Sequence, residues 1–480
     1  MKDRTRHRAR RVGLWMSAGL AVWILGGCAH KPLPTGALQG HTPADWAARA
    51  SSAQTNPAPA WERMDDAVLR QLVAWTWTDQ PGLQQAVARL DEARALAGAS
   101  AAASGLNATG QWQRGRQAVP AGLPIQNISL GQFDASWELD LFGRARQLNK
   151  ASSLRAEASA LEVQALRLSL ATETAELYLS LRAAEQLVAL GEQELASANE
   201  VAKLSRQRQQ VGLEASASSA LLQGAAAEAQ QRLLAQRAQR EQLLKALAAL
   251  TAHEEAQLRS LLARSPGAWP QLGAPFAVAV PAQALQQRPD VAAAQTQALA
   301  AWAAAGAAEA ARWPQLSLVG SFSVAGIQLG GATDESRGWG FGPRLTLPLL
   351  DGGRARAEAQ AAQARWRQAE AAWRGAVLQA VREVEDALVR LDAAQQRQAP
   401  MQQSLQAYEQ ALVATQQRWQ AGFASAQELE DQRRVTLGAR AAMVQLQREQ
   451  RSAWLALHKA VGGGWQAPLV SNSQTQDSTS

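Results

Sequence analysis

The chain has one cysteine, five histidines and two tyrosines in 480 residues. A single cysteine excludes a disulfide framework and any zinc site built from several cysteines. The histidines are scattered, and His253-Glu254-Glu255 is followed by Gln257 where a His-Glu-x-x-His zinc motif needs its second histidine. No Gly-x-Ser-x-Gly nucleophile elbow and no Gly-x-x-x-x-Gly-Lys phosphate loop occurs. Gly338-Trp339-Gly340-Phe341-Gly342 has the wrong spacing for a dinucleotide loop and suits the aromatic start of a strand near a membrane interface. No enzyme activity and no cofactor are therefore expected, apart from the covalent lipid argued next. Charge of one sign is also scarce outside the N-terminus. The formal net charge is +7, but Lys2, Arg4, Arg6, Arg8, Arg10 and Arg11 face only Asp3 within residues 1–27. The remainder is nearly neutral and carries no footprint for nucleic acid.

The N-terminus reads as an address. Its apolar stretch Val12–Leu25 is shorter than the about 20 residues that span a bilayer. A basic start, a short apolar core and small residues make a secretory signal. Leu25-Gly26-Gly27-Cys28 resembles a bacterial lipobox, in which the cysteine takes a diacylglycerol on sulfur and an acyl chain on the new amine. Two or more acyl chains anchor a protein stably. Ala29 and His30 follow, rather than the Asp that marks inner-membrane retention, so the outer membrane is the expected destination. Residues 1–27 are thus a signal peptide, and 28–60 an acylated start with a Pro-rich, polar tether.

The rest repeats at an offset of 210 residues. Leu106, Gly110 and Trp112 recur as Leu316, Gly320 and Phe322; Gly143-Arg144-Ala145-Arg146 as Gly353-Arg354-Ala355-Arg356; Glu173, Leu181, Gly212 and Leu247 as Glu383, Leu391, Gly422 and Leu457. The first repeat is read as 61–270, the second as 271–465, and 466–480 as a disordered tail. Each repeat opens with an Ala-rich helix, Pro81–Ala103 or Pro289–Trp313; Arg288-Pro289-Asp290 reads as a helix start. Two strands of about ten residues are predicted next: Gly105–Arg116 and Ile128–Leu141, then Gln315–Ile327 and Trp339–Leu349. Leu316, Leu318, Gly320, Phe322 and Val324 share one face, with Ser317, Ser321 and Ser323 on the other. The strands are followed by Arg144–Gln210, which has no proline and only Gly191 as a possible break. A helix of that length extends about 100 Å. Val211-Gly212-Leu213 turns it into a return helix ending at His253. The second repeat follows the same plan through Arg354–Gln420, with a break at Pro400, the turn Ala421-Gly422-Phe423, and a return to Val461.

Four strands cannot close a membrane barrel, since the smallest use eight, and an open edge is not tolerated in lipid. Membrane strands here imply an oligomer. A dimer would supply eight strands and a trimer twelve, and the larger ring leaves room for a channel.

This order of elements and its motifs resemble the outer membrane factor family of TolC-like channels, in particular its NodT-like lipoprotein branch. The resemblance is carried by residues 133–144 (Phe-Asp-Ala-Ser-Trp-Glu-Leu-Asp-Leu-Phe-Gly-Arg), Arg288-Pro289-Asp290-Val291, residues 345–354 (Leu-Thr-Leu-Pro-Leu-Leu-Asp-Gly-Gly-Arg), Arg418-Trp419-Gln420-Ala421-Gly422 and residues 460–465. It implies a membrane α+β fold: a homotrimer with four strands per chain in a 12-stranded outer-membrane β-barrel, continuous with a long periplasmic α-helical barrel. A belt around the helices would use segments near Ala60–Ala74, Gly191, Arg264–Pro281 and the C-terminal end. The implied function is a passive, gated efflux duct joined by a periplasmic adaptor to an inner-membrane pump. The same duct could serve type I protein secretion, and a structural envelope lipoprotein without a pore is the reading from another class.

The resemblance also assigns sites. The tips Val211, Gly212, Leu213 and Ala421, Gly422, Phe423 would contact the adaptor, although a tight interhelical turn needs the same glycines. Ala421-Gly422-Phe423 departs from the commoner Val-Gly-Thr and Val-Gly-Leu forms. Glu428 and Asp431 occupy the positions of a periplasmic acidic gate, three apart on one helix face. A solvated helix face is the alternative. Trp419 stands where the family usually has a Tyr that latches adjacent helices.

Overall fold

The computed structural model describes residues 60–117, 126–265, 267–272, 288–329 and 332–463. Cys28, the signal, the tether, Pro281 and the tail lie outside them. In chain order the elements are α1 (Ala60–Arg63), α2 (Ala67–Asp79), α3 (Pro81–Ala103), β1 (Asn107–Gln117), β2 (Gln126–Leu139), α4 (Arg144–Gln210), α5 (Ser216–Thr251), α6 (Glu255–Leu262), α7 (Pro289–Ala310), β3 (Gln315–Leu329), β4 (Ala332–Thr346), α8 (Arg354–Gln396), α9 (Gln398–Gln420) and α10 (Ala426–Ala460). Among the described residues no helix is long and apolar enough to cross a membrane.

The chain forms two compact units, and each draws on both sequence repeats. The first, centred on Leu90–Ser159 and Ala294–Arg374, holds one antiparallel sheet in the order β1-β2-β3-β4. Both hairpins turn at the end away from the helices. Phe133 pairs with Phe322, and Phe322 with Trp339, so an aromatic row crosses three strands. Gly131 leaves room for the indole of Trp112, which a Cβ there would meet at 2.9 Å. The sheet has two open edges, β1 and β4. Strand β4 begins at Ala332, seven residues before the expected start. Polar Thr333–Arg337 breaks the apolar alternation, yet the pairing with β3 continues to the turn. The strand stops at Thr346 because Pro348 lacks an N–H donor and holds Leu347 outside the ladder.

Both long helices start on a carboxylate. Asp140 accepts the N–H groups of Ala145 and Arg146, and Asp351 those of Gly353 and Ala355. These caps satisfy donors that the helix itself cannot.

The second unit is helical. Met64, Leu69 and Leu72 of α1–α2 are buried against Tyr178 and Leu179 of α4, Leu247 of α5, Leu258 of α6 and Trp454 of α10. Asp66 caps α2 through Leu69 N–H and accepts the hydroxyl of Tyr178 at 2.8 Å. Arg288 does more than precede a capped helix. Its buried guanidinium donates to Ala460 O, Asp290 and Glu383, tying the start of α7 to α8 and to the end of α10. Burial would raise the Asp290 carboxyl, but Arg288 and the Val291 N–H outweigh it and hold it below the ordinary range.

Gly191 is not a break. Helix α4 runs unbroken from Arg144 to Gln210, and a Cβ at Gly191 would collide with Gln236 Oε1 and press on Leu233 of α5. The glycine serves close helix approach, and it lies beside α5 rather than in the core around α1–α2. Pro400 does interrupt its helix. Without its N–H, the ladder of α8 ends at Gln396 and α9 resumes at Gln398.

Candidate functional site

The two helix turns are built alike. Gly212 and Gly422 have φ of +77° and +80°, a region that favours glycine. In the first turn Leu213 N–H donates to Arg208 O at 2.8 Å and Gly212 N–H to Gln209 O at 3.0 Å; in the second, Phe423 N–H donates to Arg418 O at 2.7 Å and Gly422 N–H to Trp419 O at 3.0 Å. This double closure satisfies the last carbonyls of α4 and α9. The apolar side chains it leaves outside are prominent: Val211, Leu213 and Phe423 are 69%, 71% and 78% exposed. Ala421 caps α9 and is exposed.

The turns differ in their charges. In the first, Glu214 accepts the hydroxyls of Ser205 and Ser218. In the second, Arg418 donates to Glu428 at 2.8 Å and to Phe423 O at 3.2 Å, fastening α10 to the turn. Glu428 also stands in the first turn of α10, where Ser425 Oγ accepts its N–H at 3.0 Å. The signal Ser-x-x-Glu was present in the sequence as a helix start. Asp431 pairs with Arg434 at 2.7 Å. The structure thus places Glu428 and Asp431, the carboxylates expected at a gate, on the first turns of α10, exposed and each paired with an arginine of its own chain. Trp419 is half-buried one turn before the tip.

Glu430, between the two, was legible only as one more charge. Its side chain is largely buried, and among the described residues Oε2 has no hydrogen-bond partner. Arg433 approaches only to 4.0 Å. Burial pushes the Glu430 carboxyl up, and the nearby Glu194 of α4 adds to this against the pull of Arg433. Glu194 itself is engaged by Arg232 of α5. A buried carboxyl between two helical hairpins is a contact that local sequence does not reveal.

The sheet has two chemically distinct faces, fixed by the register. One carries Trp112, Phe133, Trp137, Phe322, Trp339 and Phe341. The other carries Gln111, Gln132, Asp134, Ser321, Ser323 and Arg344. On that polar face Gln111 donates to Gln132, and Gln132 to both oxygens of Asp134. This division holds over the helix-proximal part of the strands; toward the hairpin ends the first face turns polar with Arg114, Arg116, Asn127 and Arg337, and the second carries Ile128, Leu130, Ile327 and Leu329. An aromatic face opposite a polar one is what a water-lined membrane barrel requires.

Comparison with known proteins identifies the family. The family model described as outer membrane efflux protein matches residues 78–253 and 280–463. The chain is 32% identical to the outer membrane protein OprJ of Pseudomonas aeruginosa, over 95% of this chain and 97% of that protein. It is 26% identical to nodulation protein T of Rhizobium leguminosarum bv. viciae, over 86% and 85%. The crystal structure of the outer membrane protein VceC from Vibrio cholerae superposes with a TM-score of 0.74 at 26% identity, covering 85% of this chain and 98% of that one. The chain therefore belongs to the outer membrane efflux protein family of TolC-like channels, whose members are outer-membrane proteins with a periplasmic helical extension.

Proposed function

We propose that this chain is the outer-membrane duct of a tripartite efflux system. Three copies join β4 to β1 into a closed ring of twelve strands, with the aromatic face in lipid and the polar face lining water. The helices continue the duct through the periplasm. An adaptor protein engages the exposed tips around Gly212 and Gly422 and couples the duct to an inner-membrane pump, because the duct has no energy source of its own. Acyl chains on Cys28 add a lipid anchor. Glu428 and Asp431, repeated around the axis, form an acidic gate that favours cations, with Trp419 packing beside it and Arg418 and Arg434 holding the carboxylates in place.

The observation that carries this reading is the sheet with two open edges and, over the helix-proximal part of its strands, an aromatic face opposite a polar one. Unpaired strand edges cost several kcal/mol per polar group in lipid, so the sheet must be completed by other copies. The test is conductance of the purified protein in planar bilayers beside the variant Glu428→Gln/Asp431→Asn. The expected result is a small cation-selective conductance that grows or loses selectivity in the variant. Unchanged conductance would move the gate elsewhere, and none from folded, inserted protein would remove the duct.

A further inference from the structure

The aromatic face ends in arginines, and only on the edge strands. On β1 the outward sequence toward the hairpin turn is Trp112, Arg114, Arg116; on β4 it is Trp339, Arg337, Glu335. The matching outward positions of the inner strands are Ser129 and Asn127 on β2 and Gly326 and Gln328 on β3, all uncharged. Asn127 and Gln328 bond to one another. On both edges an exposed tryptophan is followed two residues later, about 7 Å along the strand, by an exposed arginine. Tryptophan marks the boundary between hydrocarbon and headgroups, so the arginines stand at headgroup depth. They stand at the end away from the helices, which in this family is the outer surface. Glu335 is the sole acid on this face near the turns, against three arginines, and the turn residues 118–125 and 330–331 contain no charge.

The geometry points to a binding site for the phosphate groups of outer-leaflet glycolipid at each seam between protomers. This rests on the ring closure proposed above. Joining β4 of one copy to β1 of the next brings Arg337 to the side of the seam that faces Arg114 and Arg116, while the middle of each protomer stays uncharged. The site is incomplete in a single chain. Arginine suits phosphate because its planar fork gives paired, charge-assisted hydrogen bonds. Each such cation at an anionic surface contributes about fivefold in affinity, so three together give about a hundredfold.

The test uses the full-length protein reconstituted in neutral phosphatidylcholine vesicles, with insertion checked by flotation. Samples then receive bis-phosphorylated lipid A or its dephosphorylated form, and native mass spectrometry counts glycolipids retained per oligomer. The expected result is retention of lipid A but not of the dephosphorylated form. Arg114→Gln/Arg116→Gln/Arg337→Gln should weaken it about a hundredfold, replacement of the same three by Lys should weaken it less, and Glu335→Gln should strengthen it. Equal retention by wild type and the triple Gln variant overturns the site, as does equal retention of both glycolipids. Saturation by inorganic phosphate at the same concentration overturns the assignment to lipid. Inserted wild type without retention removes this site and leaves the duct standing, whereas failure to insert removes both.

Discussion

Glu430 shows how a single side chain can oppose the packing around it. Among the described residues its buried Oε2 has no hydrogen-bond partner, and the charge of Glu194 acts on it from α4. The folded carboxyl titrates above its ordinary value of 4.5. A carboxyl raised on folding binds its proton more tightly in the native state, so its contribution to stability is greatest below the unfolded value. Stability therefore falls as pH rises from about 4.5 through the raised value, and stays lower above it. Glu430→Gln should remove that fall and stabilise the protein near neutrality by about 1 kcal/mol, since a neutral amide avoids burying a carboxylate that only the distant Arg433 offsets. Thermal unfolding of the detergent-solubilised protein at several pH values checks this. A variant less stable than wild type at pH 7, with the same pH profile, would show that the carboxylate is paired after all. The residue was invisible as a site in the sequence because its neighbour Glu194 lies 236 positions away. Gly212 and Gly422 were legible because their requirement is local: each ends a long helical run, and each backbone adopts positive φ.

At the scale of elements, the long helices were legible to within a few residues. Composition decides them: 67 residues rich in strong helix formers and without proline leave little alternative. The misreading of Gly191 has the same root. A single glycine costs about 1 kcal/mol of propensity, which a helix of that length absorbs. Packing against α5 explains its presence better. If Gly191 were a hinge, Gly191→Ala should stabilise the protein by about 1 kcal/mol by removing it. The contact with Leu233 and Gln236 predicts a near-neutral effect instead, because Gln236 must move aside. Gly191→Leu should cost about 1–3 kcal/mol through overpacking, with unchanged helix content. Denaturant unfolding followed by far-ultraviolet circular dichroism separates these cases. The boundary of β4 was misread for a different reason. Side chains in Thr333–Arg337 fit no apolar pattern, and their strand is specified by backbone pairing to β3, which runs to Leu329 and Ala332.

For the whole molecule, the decisive property is that neither face of the sheet nor either edge is complete in one chain. In the proposed duct the aromatic face meets lipid, the polar face meets water, and each edge pairs with another copy. The repeat made the four strands legible, and the expectation of an oligomer rests on counting them; the sheet order, in which β2 pairs with β3 across the α4–α5 hairpin, came only with the structure. Substitutions at adjacent positions of one strand test all of this at once. Phe322 lies on the aromatic face between Phe133 and Trp339, and Ser321 beside it on the polar face between Asp134 and Gly340. An arginine on the lipid face of a membrane barrel costs about 2–4 kcal/mol at the midplane, falling to about 0–1 near the interfaces; Phe322, paired with the boundary residue Trp339, lies toward the interface, and every copy in the proposed ring bears its cost. Phe322→Arg should therefore lower membrane assembly, measured as heat-resistant oligomer in the outer-membrane fraction. Ser321→Arg should assemble at near wild-type levels and shift the conducted ions toward anions, because its charge faces the pore. If the two variants assemble equally, the faces are not divided between lipid and water, and the sheet would have to pack as a soluble hairpin pair. If Ser321→Arg fails and Phe322→Arg assembles, the barrel is inverted relative to the assignment, and the arginines of the edge strands would line the pore instead of the membrane.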